Sequence, residues 1–100
     1  MFDERGRGYL AECFWPGVGE QMFADALARA QEAVARLRGE GREIDLRGAI
    51  LVGSDETVFC LFAGDEPDVR AAGVLAGVRF ERVLETIWFG AQAETGEEEG

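Results

Sequence analysis

The chain has 100 residues, of which 47% are hydrophobic, and this size and composition are typical of one folded domain with a single core. Twenty acidic residues against ten basic residues give a net charge of -10, and an acidic surface repels the phosphates of nucleic acids and anionic lipids. These properties exclude global disorder and argue against nucleic-acid and membrane partners. The first residues lack the apolar run of a signal peptide, so a cytoplasmic location is expected.

The chain begins with a polar segment and then turns apolar. Residues 1–7 are polar and contain glycine, which predicts a flexible arm. A first strand is predicted at 8–15, because this aromatic-rich stretch runs up to Pro16 and Gly17, a pair that marks a turn and cannot continue a ladder.

A long first helix is predicted at 19–38, where the apolar period changes from two to about 3.6 residues. Its apolar face contains Met22, Phe23, Ala26, Leu27, Ala30, Ala33, Val34 and Leu37. On the solvated side, Asp25 with Arg29 and Glu32 with Arg36 have the spacing of ion pairs between successive turns. Glycines at 39 and 41 are expected to end this helix.

A hairpin of two strands is predicted in the middle of the chain. Residues 43–52 alternate between polar and apolar, which indicates a half-buried strand bent at Gly48. Its apolar side is expected to contain Ile44, Leu46, Ile50 and Val52. After a reversal at 53–56, residues 57–63 are apolar on both faces, which places this third strand in the middle of the sheet.

A second helix and a fourth strand complete the predicted domain. Asp65 is a suitable first cap for the helix and Gly77 a suitable last residue. Residues 80–89 predict the fourth strand, with Phe80, Leu84 and Trp88 on one face and Val83, Ile87 and Phe89 on the other. The acidic residues 90–100 predict a disordered tail.

The element order β-α-β-β-α-β predicts an α+β ferredoxin-like sandwich over residues 8–89. Two right-handed crossovers give an antiparallel sheet of order 4-1-3-2 with both helices on one face. The strands are apolar on the other face as well, and monomers rarely expose a large contiguous apolar patch. We therefore expect a second copy of the chain to cover that face, in a homodimeric α/β barrel.

Several segments in this order resemble a bacterial family of small ferredoxin-like proteins, a domain of unknown function in which some members are labelled nickel-binding proteins. The similar segments are Asp-Glu-Thr-Val-Phe-Cys-Leu-Phe at 55–62, Asp65, Val-Arg at 69–70, Gly-Val-Arg-Phe-Glu-Arg-Val at 77–83 and Tyr-Leu-Ala-Glu at 9–12. The resemblance spans about residues 8–89 and implies the same fold and a homodimer. Nickel binding is not carried over, because the chain has no histidine, and imidazole is a preferred nickel ligand. No metal site and no cofactor are predicted.

Glu12 is the first candidate for chemistry, because this acid alternates with Leu10 and Phe14 in an otherwise apolar strand. An unpaired buried carboxylate is costly. Glu12 is then either an acid or base in a pocket between two sheets, the partner of Arg47 or Arg82 in an ion pair, or a rim residue open to water.

The remaining candidates are residues for binding a ligand. Arg47 and Arg82 lie on predicted edge strands, where they can clamp an anion or simply face solvent. Tyr9 and Trp88 belong to an aromatic set that can line a hydrophobic ligand cavity or form the core and dimer seam. The two cysteines, Cys13 and Cys60, are expected to be buried free thiols.

The sequence thus predicts a small homodimeric binding or accessory protein that holds a hydrophobic or anionic small molecule at its sheet face. One alternative is an enzyme of the isomerase, cyclase or monooxygenase kind, with Glu12 as acid or base and Arg47 stabilising an anion, by analogy with other dimeric barrels. A second alternative is a metal-binding protein, as the family label suggests.

Overall fold

Four strands and two helices follow one another in a computed structural model that describes residues 5–89, with only the backbone of Arg5. They are β1 (Arg5–Phe14), α1 (Glu20–Gly39), β2 (Ile44–Val52), β3 (Thr57–Gly64), α2 (Glu66–Ala76) and β4 (Arg82–Phe89), with a 3-10 turn at Gly53–Asp55. All strand pairs are antiparallel, in the order β2-β3-β1-β4. This is the predicted order read from the other edge, and the α+β architecture is compatible with a ferredoxin-like fold.

The core lies between the sheet and the two helices. Its largest fully buried side chains are Phe62 and Val58 from β3 and Val69 from α2. The helix α1 contributes mainly small residues to this core, among them Ala26, Ala30, Ala33 and Val34, with Leu37 near its end. Small side chains let the long helix lie close to the sheet and to α2. The predicted apolar face of α1 is confirmed for these five residues, whereas Met22, which was predicted to share that face, is 44% exposed.

The ion pairs predicted on α1 are not formed. Gln21 Nε2 donates to Asp25 Oδ1 at 3.0 Å, while Arg29 Nε donates to the carbonyl oxygen of Ala76 at 2.8 Å. Arg36 pairs at 3.6 Å with Glu40, one turn after it, and not with Glu32, one turn before it. Spacing on one helix could not predict the Arg29 contact, because its acceptor belongs to α2.

The first strand begins earlier than predicted, at Arg5, so the expected arm at 1–7 is wrong for residues 5–7. Arg5 is paired with Phe89, and Gly6 with Trp88. A Cβ atom on Gly6 would lie 2.6 Å from the Trp88 ring, so glycine is needed here to make room for the indole. Residues 1–4 and the predicted acidic tail at 90–100 lie outside the described residues.

An irregularity in β2 corrects the predicted faces of that strand. The register against β3 shifts between Leu46 and Gly48, where β2 carries an extra residue, a β-bulge. One extra residue reverses the alternation that follows it. Ala49 and Leu51 therefore face the helices, and Ile50 and Val52 lie on the opposite side from Ile44 and Leu46.

Phe80 also departs from the prediction, because it precedes β4 and does not share a face with Leu84 and Trp88. Its ring packs under α2 and meets the ring of Phe62 edge-on, with centroids 5.8 Å apart. A Cβ atom on Gly73 would lie 2.7 Å from the Phe80 ring. Gly73 thus leaves the space that this aromatic side chain occupies against α2. The helix ends at Ala76, and Gly77 caps it with a positive φ of 72°, in agreement with the prediction that Gly77 ends it.

Candidate functional site on the open sheet face

One face of the sheet carries no helix among the described residues, and we term it the open face. Strand register assigns it a mainly apolar set of side chains with several polar ones among them: Leu10, Glu12, Phe14, Asp45, Ile50, Val52, Thr57, Phe59, Leu61, Ala63, Arg82, Leu84, Thr86 and Trp88. Ile50 is 58% exposed, Phe14 51% and Leu84 38%. Neighbouring apolar side chains are therefore open to solvent on a continuous surface.

Glu12 and Arg82 form an ion pair on this face. They are direct cross-strand neighbours in the pairing of β1 with β4, and Arg82 Nε lies 2.6 Å from Glu12 Oε1. The Glu12 side chain is 23% exposed and that of Arg82 63% exposed. The carboxylate is thus shielded on an apolar strand but compensated by a guanidinium that reaches it from the sheet edge, as one of the sequence interpretations required.

Arg47 and Trp88 form the second polar feature of the open face, although their strands are at opposite edges of the sheet. The Arg47 guanidinium carbon lies 5.9 Å from the centre of the Trp88 ring, within the range of a cation-π contact. Arg47 Nε also lies 3.4 Å from Asp45 Oδ2. Trp88 spans this width because Gly6, its neighbour on β1, has no side chain.

The two polar features stand apart along the strands. On β1, Glu12 is six residues from Gly6, the partner of Trp88, which corresponds to roughly 20 Å of extended chain. The structure therefore joins Glu12 with Arg82 and Arg47 with Trp88, without bringing all four into one cluster. Sequence reasoning missed Gly6, and no local pattern indicates it, because its partner Trp88 lies near the other end of the described chain.

Tyr9 is not part of the open face, which corrects its assignment as a ligand residue there. It alternates with Leu10 and shares the helix-facing side of β1 with Ala11 and Cys13, where it packs against the core. Burial raises the pKa of the Tyr9 hydroxyl, and the carboxylates of Glu85, Glu66 and Asp65 add to the increase. Its position follows from strand alternation once the face of Ala11 is known.

Both cysteines are free thiols buried on the helix-facing side. Burial raises the pKa of Cys60 to about 11, with a further contribution from Cys13. Burial also raises the pKa of Cys13, and Glu81 acts in the same direction. A neutral thiol is a weak nucleophile and metal ligand, so neither cysteine is suited to covalent chemistry at neutral pH. Within residues 5–89 there is no cluster of three or more Cys, Asp or Glu side chains that could hold a metal ion.

Comparisons with protein-family models, with curated proteins and with solved structures found no match. The resemblance to a small ferredoxin-like family therefore stays a prediction that rests on the quoted segments. Among the described residues, no helix has the length and apolar character needed to cross a membrane.

Proposed function

We propose that the chain is a small homodimeric binding protein, in which two open faces pack together as an α/β barrel around a small ligand. The observation that supports this most directly is the exposure of Phe14, Ile50 and Leu84 on one continuous surface. Apolar surface of this extent is unfavourable in water and is usually covered by a partner. A second copy has the required complementary face and needs no other component.

The size of the face is compatible with such a dimer. Four strands about 4.8 Å apart, each about eight residues long with a rise of about 3.3 Å, present on the order of 500 Å² of flat area. Protruding side chains make the accessible area larger than the flat area. Specific interfaces bury about 600 to 1,000 Å² on each partner, so a face-to-face contact falls at the lower end of that range.

The polar groups on the open face suggest the class of ligand. Arg47 and Arg82 supply guanidinium groups next to apolar side chains, and Trp88 offers an aromatic surface. Guanidinium groups bind carboxylates and phosphates through paired hydrogen bonds. A small molecule with one apolar part and one anionic group matches this combination.

The assembly is tested by light scattering of the purified chain at micromolar concentration. The wild type should give about twice the chain mass of 10.9 kDa. Ile50→Lys places a charge in the proposed seam and should shift the population to monomer. Val74→Lys is the matched control, because Val74 is 81% exposed on α2 and should leave the dimer intact.

Two results would contradict the assembly: a wild type that is still monomeric at about 100 μM, or equal dissociation of both lysine variants.

The ligand part has its own test with the fluorescent probe 8-anilinonaphthalene-1-sulfonate, an aromatic anion. Arg47→Gln should weaken probe binding at least threefold, whereas Arg70→Gln on the exposed side of α2 should not. Equal affinity of all three proteins would overturn the role of Arg47.

The two alternatives from the sequence gain less support. A role of Glu12 as acid or base requires a free carboxylate, whereas Arg82 already occupies one of its oxygens. A metal-binding role rests on the family label alone. The binding-protein proposal is preferred because it uses both the apolar surface and the guanidinium groups.

A further inference from the structure

A small cavity lies on the other side of the sheet, where β1 leaves the ladder near the end of α2. We term it the arginine pocket, and its volume is about 260 Å³. It is lined by Cys13, Phe14, Trp15, Arg29, Gly77, Val78 and Arg79. The proposed function does not use this cavity.

The charges in the arginine pocket are unusual for this chain. Six arginines form ion pairs with carboxylates: Arg36, Arg38, Arg42, Arg47, Arg70 and Arg82. Arg29 and Arg79 form none with any residue at positions 5–89 whose side chain is described, although the acidic residues of the chain outnumber the basic ones two to one. Two guanidinium groups without an ion-pair partner among the described residues therefore line one small cavity.

Arg29 is held in place at this cavity by one hydrogen bond. Its Nε–H donates to the carbonyl oxygen of Ala76, in the last turn of α2, at 2.8 Å. A guanidinium has five N–H groups, so its two terminal nitrogens keep four donors that this bond does not use. The main-chain contact thus orients Arg29 and leaves its outer edge available.

Arg79 lies close to the Cys13 thiol, which also lines the arginine pocket. Its charge and its main-chain N–H both act to lower the pKa of Cys13, against the larger effect of burial and the repulsion from Glu81. Glu81 is the nearby carboxylate, and its Oε1 accepts a hydrogen bond from the Phe14 N–H at 3.0 Å. That bond ties Glu81 to the end of β1.

The remaining wall of the pocket is apolar. Trp15 and Val78 line this wall. Both residues also line a small gap beneath α1 whose surface is almost wholly apolar. A larger cleft of about 540 Å³ elsewhere is also lined by arginines, but its Arg38 and Arg42 are paired with Asp45 and Asp68. The arginine pocket therefore differs from that cleft, because its guanidinium groups have no ion-pair partner in the described part of the chain and lie next to an aromatic wall.

We infer that the arginine pocket binds a small aromatic or aliphatic carboxylate. The carboxylate lies between Arg29 and Arg79, which can donate paired hydrogen bonds to its oxygens, and the apolar part lies against Trp15 and Val78. Ligand cavities are commonly about 300 to 1,000 Å³, and this pocket lies just below that range, so it takes only a small molecule. In an acidic protein, a local pair of cations also concentrates anions at this one place.

The probe for the test is 2-naphthoate, added to the uniformly ¹⁵N-labelled chain and followed by two-dimensional NMR. We expect saturable shifts of the Trp15 indole N–H, the Arg29 Nε–H and the main-chain N–H groups of Gly77 and Val78. The Trp88 indole N–H reports on the open face and should shift much less. Such a pattern locates the probe in the arginine pocket.

Three variants test the role of charge. Arg79→Gln should weaken 2-naphthoate binding at least fivefold, and Glu81→Gln, which keeps an oxygen acceptor for Phe14, should tighten it about twofold. Arg36→Gln removes the same charge from an exposed site on α1 and should change the affinity less than twofold. The inference is overturned by absent saturation at millimolar probe, by shifts centred on Trp88, or by equal effects of Arg79→Gln and Arg36→Gln.

Discussion

Glu12 shows how one acid is accommodated in an apolar strand. Its neighbours on the same face, Leu10 and Phe14, would suit an apolar residue between them, and the compensation comes from Arg82 on the adjacent strand. Arg82 is 63% exposed in the single chain, so water screens the pair there and its contribution to the stability of the single chain is modest. The sequence could name Arg82 as one of two candidate partners, but the choice between Arg47 and Arg82 depends on strand register.

A double-mutant cycle measures this pair. Glu12→Gln and Arg82→Gln should each lower the free energy of unfolding by about 0.5 to 1 kcal/mol, since exposed ion pairs contribute about that much. The double variant should lose less than the sum of the single losses, because each change removes the same interaction. Urea unfolding gives all four values. A raised stability of Glu12→Gln would instead indicate a carboxylate retained at the expense of stability.

The raised pKa of Cys60 is expected to make the stability of the fold depend on pH in the alkaline range. Its pKa rises from 9.0 to about 11 on burial, so the folded state keeps a proton that the unfolded state loses between these values. The stability from this group is complete below pH 9 and falls as the pH rises toward 11, by up to about 2 to 3 kcal/mol.

Urea unfolding at several pH values from 8 to 11 checks this expectation about the thiol. Cys60→Ala should be less stable than the wild type at pH 8, because the smaller side chain leaves a gap. Its stability should nevertheless fall less steeply above pH 9. The raised pKa of Tyr9 acts in the same direction in both proteins, so the difference between them isolates Cys60. Parallel curves would show that the Cys60 thiol does not cause the decline.

At the scale of elements, α2 illustrates a conflict between local propensity and packing. Glycine in the middle of a helix costs about 1 kcal/mol relative to alanine, so Gly73 weakens α2 when it is considered alone. In the fold, Gly73 lets Phe80 pack under the helix and reach Phe62. A local rule describes the cost of this glycine, whereas its benefit comes from a residue outside the helix.

Gly73→Ala separates the two effects. Helix propensity alone predicts a gain of about 1 kcal/mol, whereas the added Cβ would lie 2.7 Å from the Phe80 ring and 3.1 Å from the Val78 carbonyl oxygen. We expect the contact to dominate, with a net loss of about 1 to 2 kcal/mol in thermal unfolding. Val74→Ala, on the exposed side of the same helix, should be neutral or slightly stabilising. An increased melting temperature for Gly73→Ala would refute the packing argument.

The strands show why the order of the elements could be predicted more fully than the face of the sheet on which each side chain lies. Apolar periodicity and turn residues lie close together in the sequence, so the six elements and the central position of β3 follow from local pattern. The faces of Ile50 and Val52 depend on where the extra residue of β2 is accommodated, which is set by pairing with β3. Likewise, the start of β1 depends on the fit of the Trp88 ring over Gly6, and these two residues are separated by most of the chain.

At the scale of the whole molecule, the two candidate sites differ in how far the sequence could predict them. The open face follows from alternation and from the placement of both helices on one side. The arginine pocket joins Cys13, Arg29 and Arg79, which meet only when the end of α2 docks against α1 and β1. No local motif connects these positions, and spacing on α1 indicated a different partner for Arg29.

The two tryptophans lie on opposite sides of this thin molecule. Trp88 rests on the open face under Arg47, and Trp15 borders the arginine pocket. The chain therefore contains its own pair of fluorescent reporters, one for each surface. With Trp15 replaced by Phe, the dependence of the remaining emission on protein concentration tests the proposed self-association. With Trp88 replaced instead, the remaining emission tests the proposed anion binding, so each proposal can be followed separately in one chain.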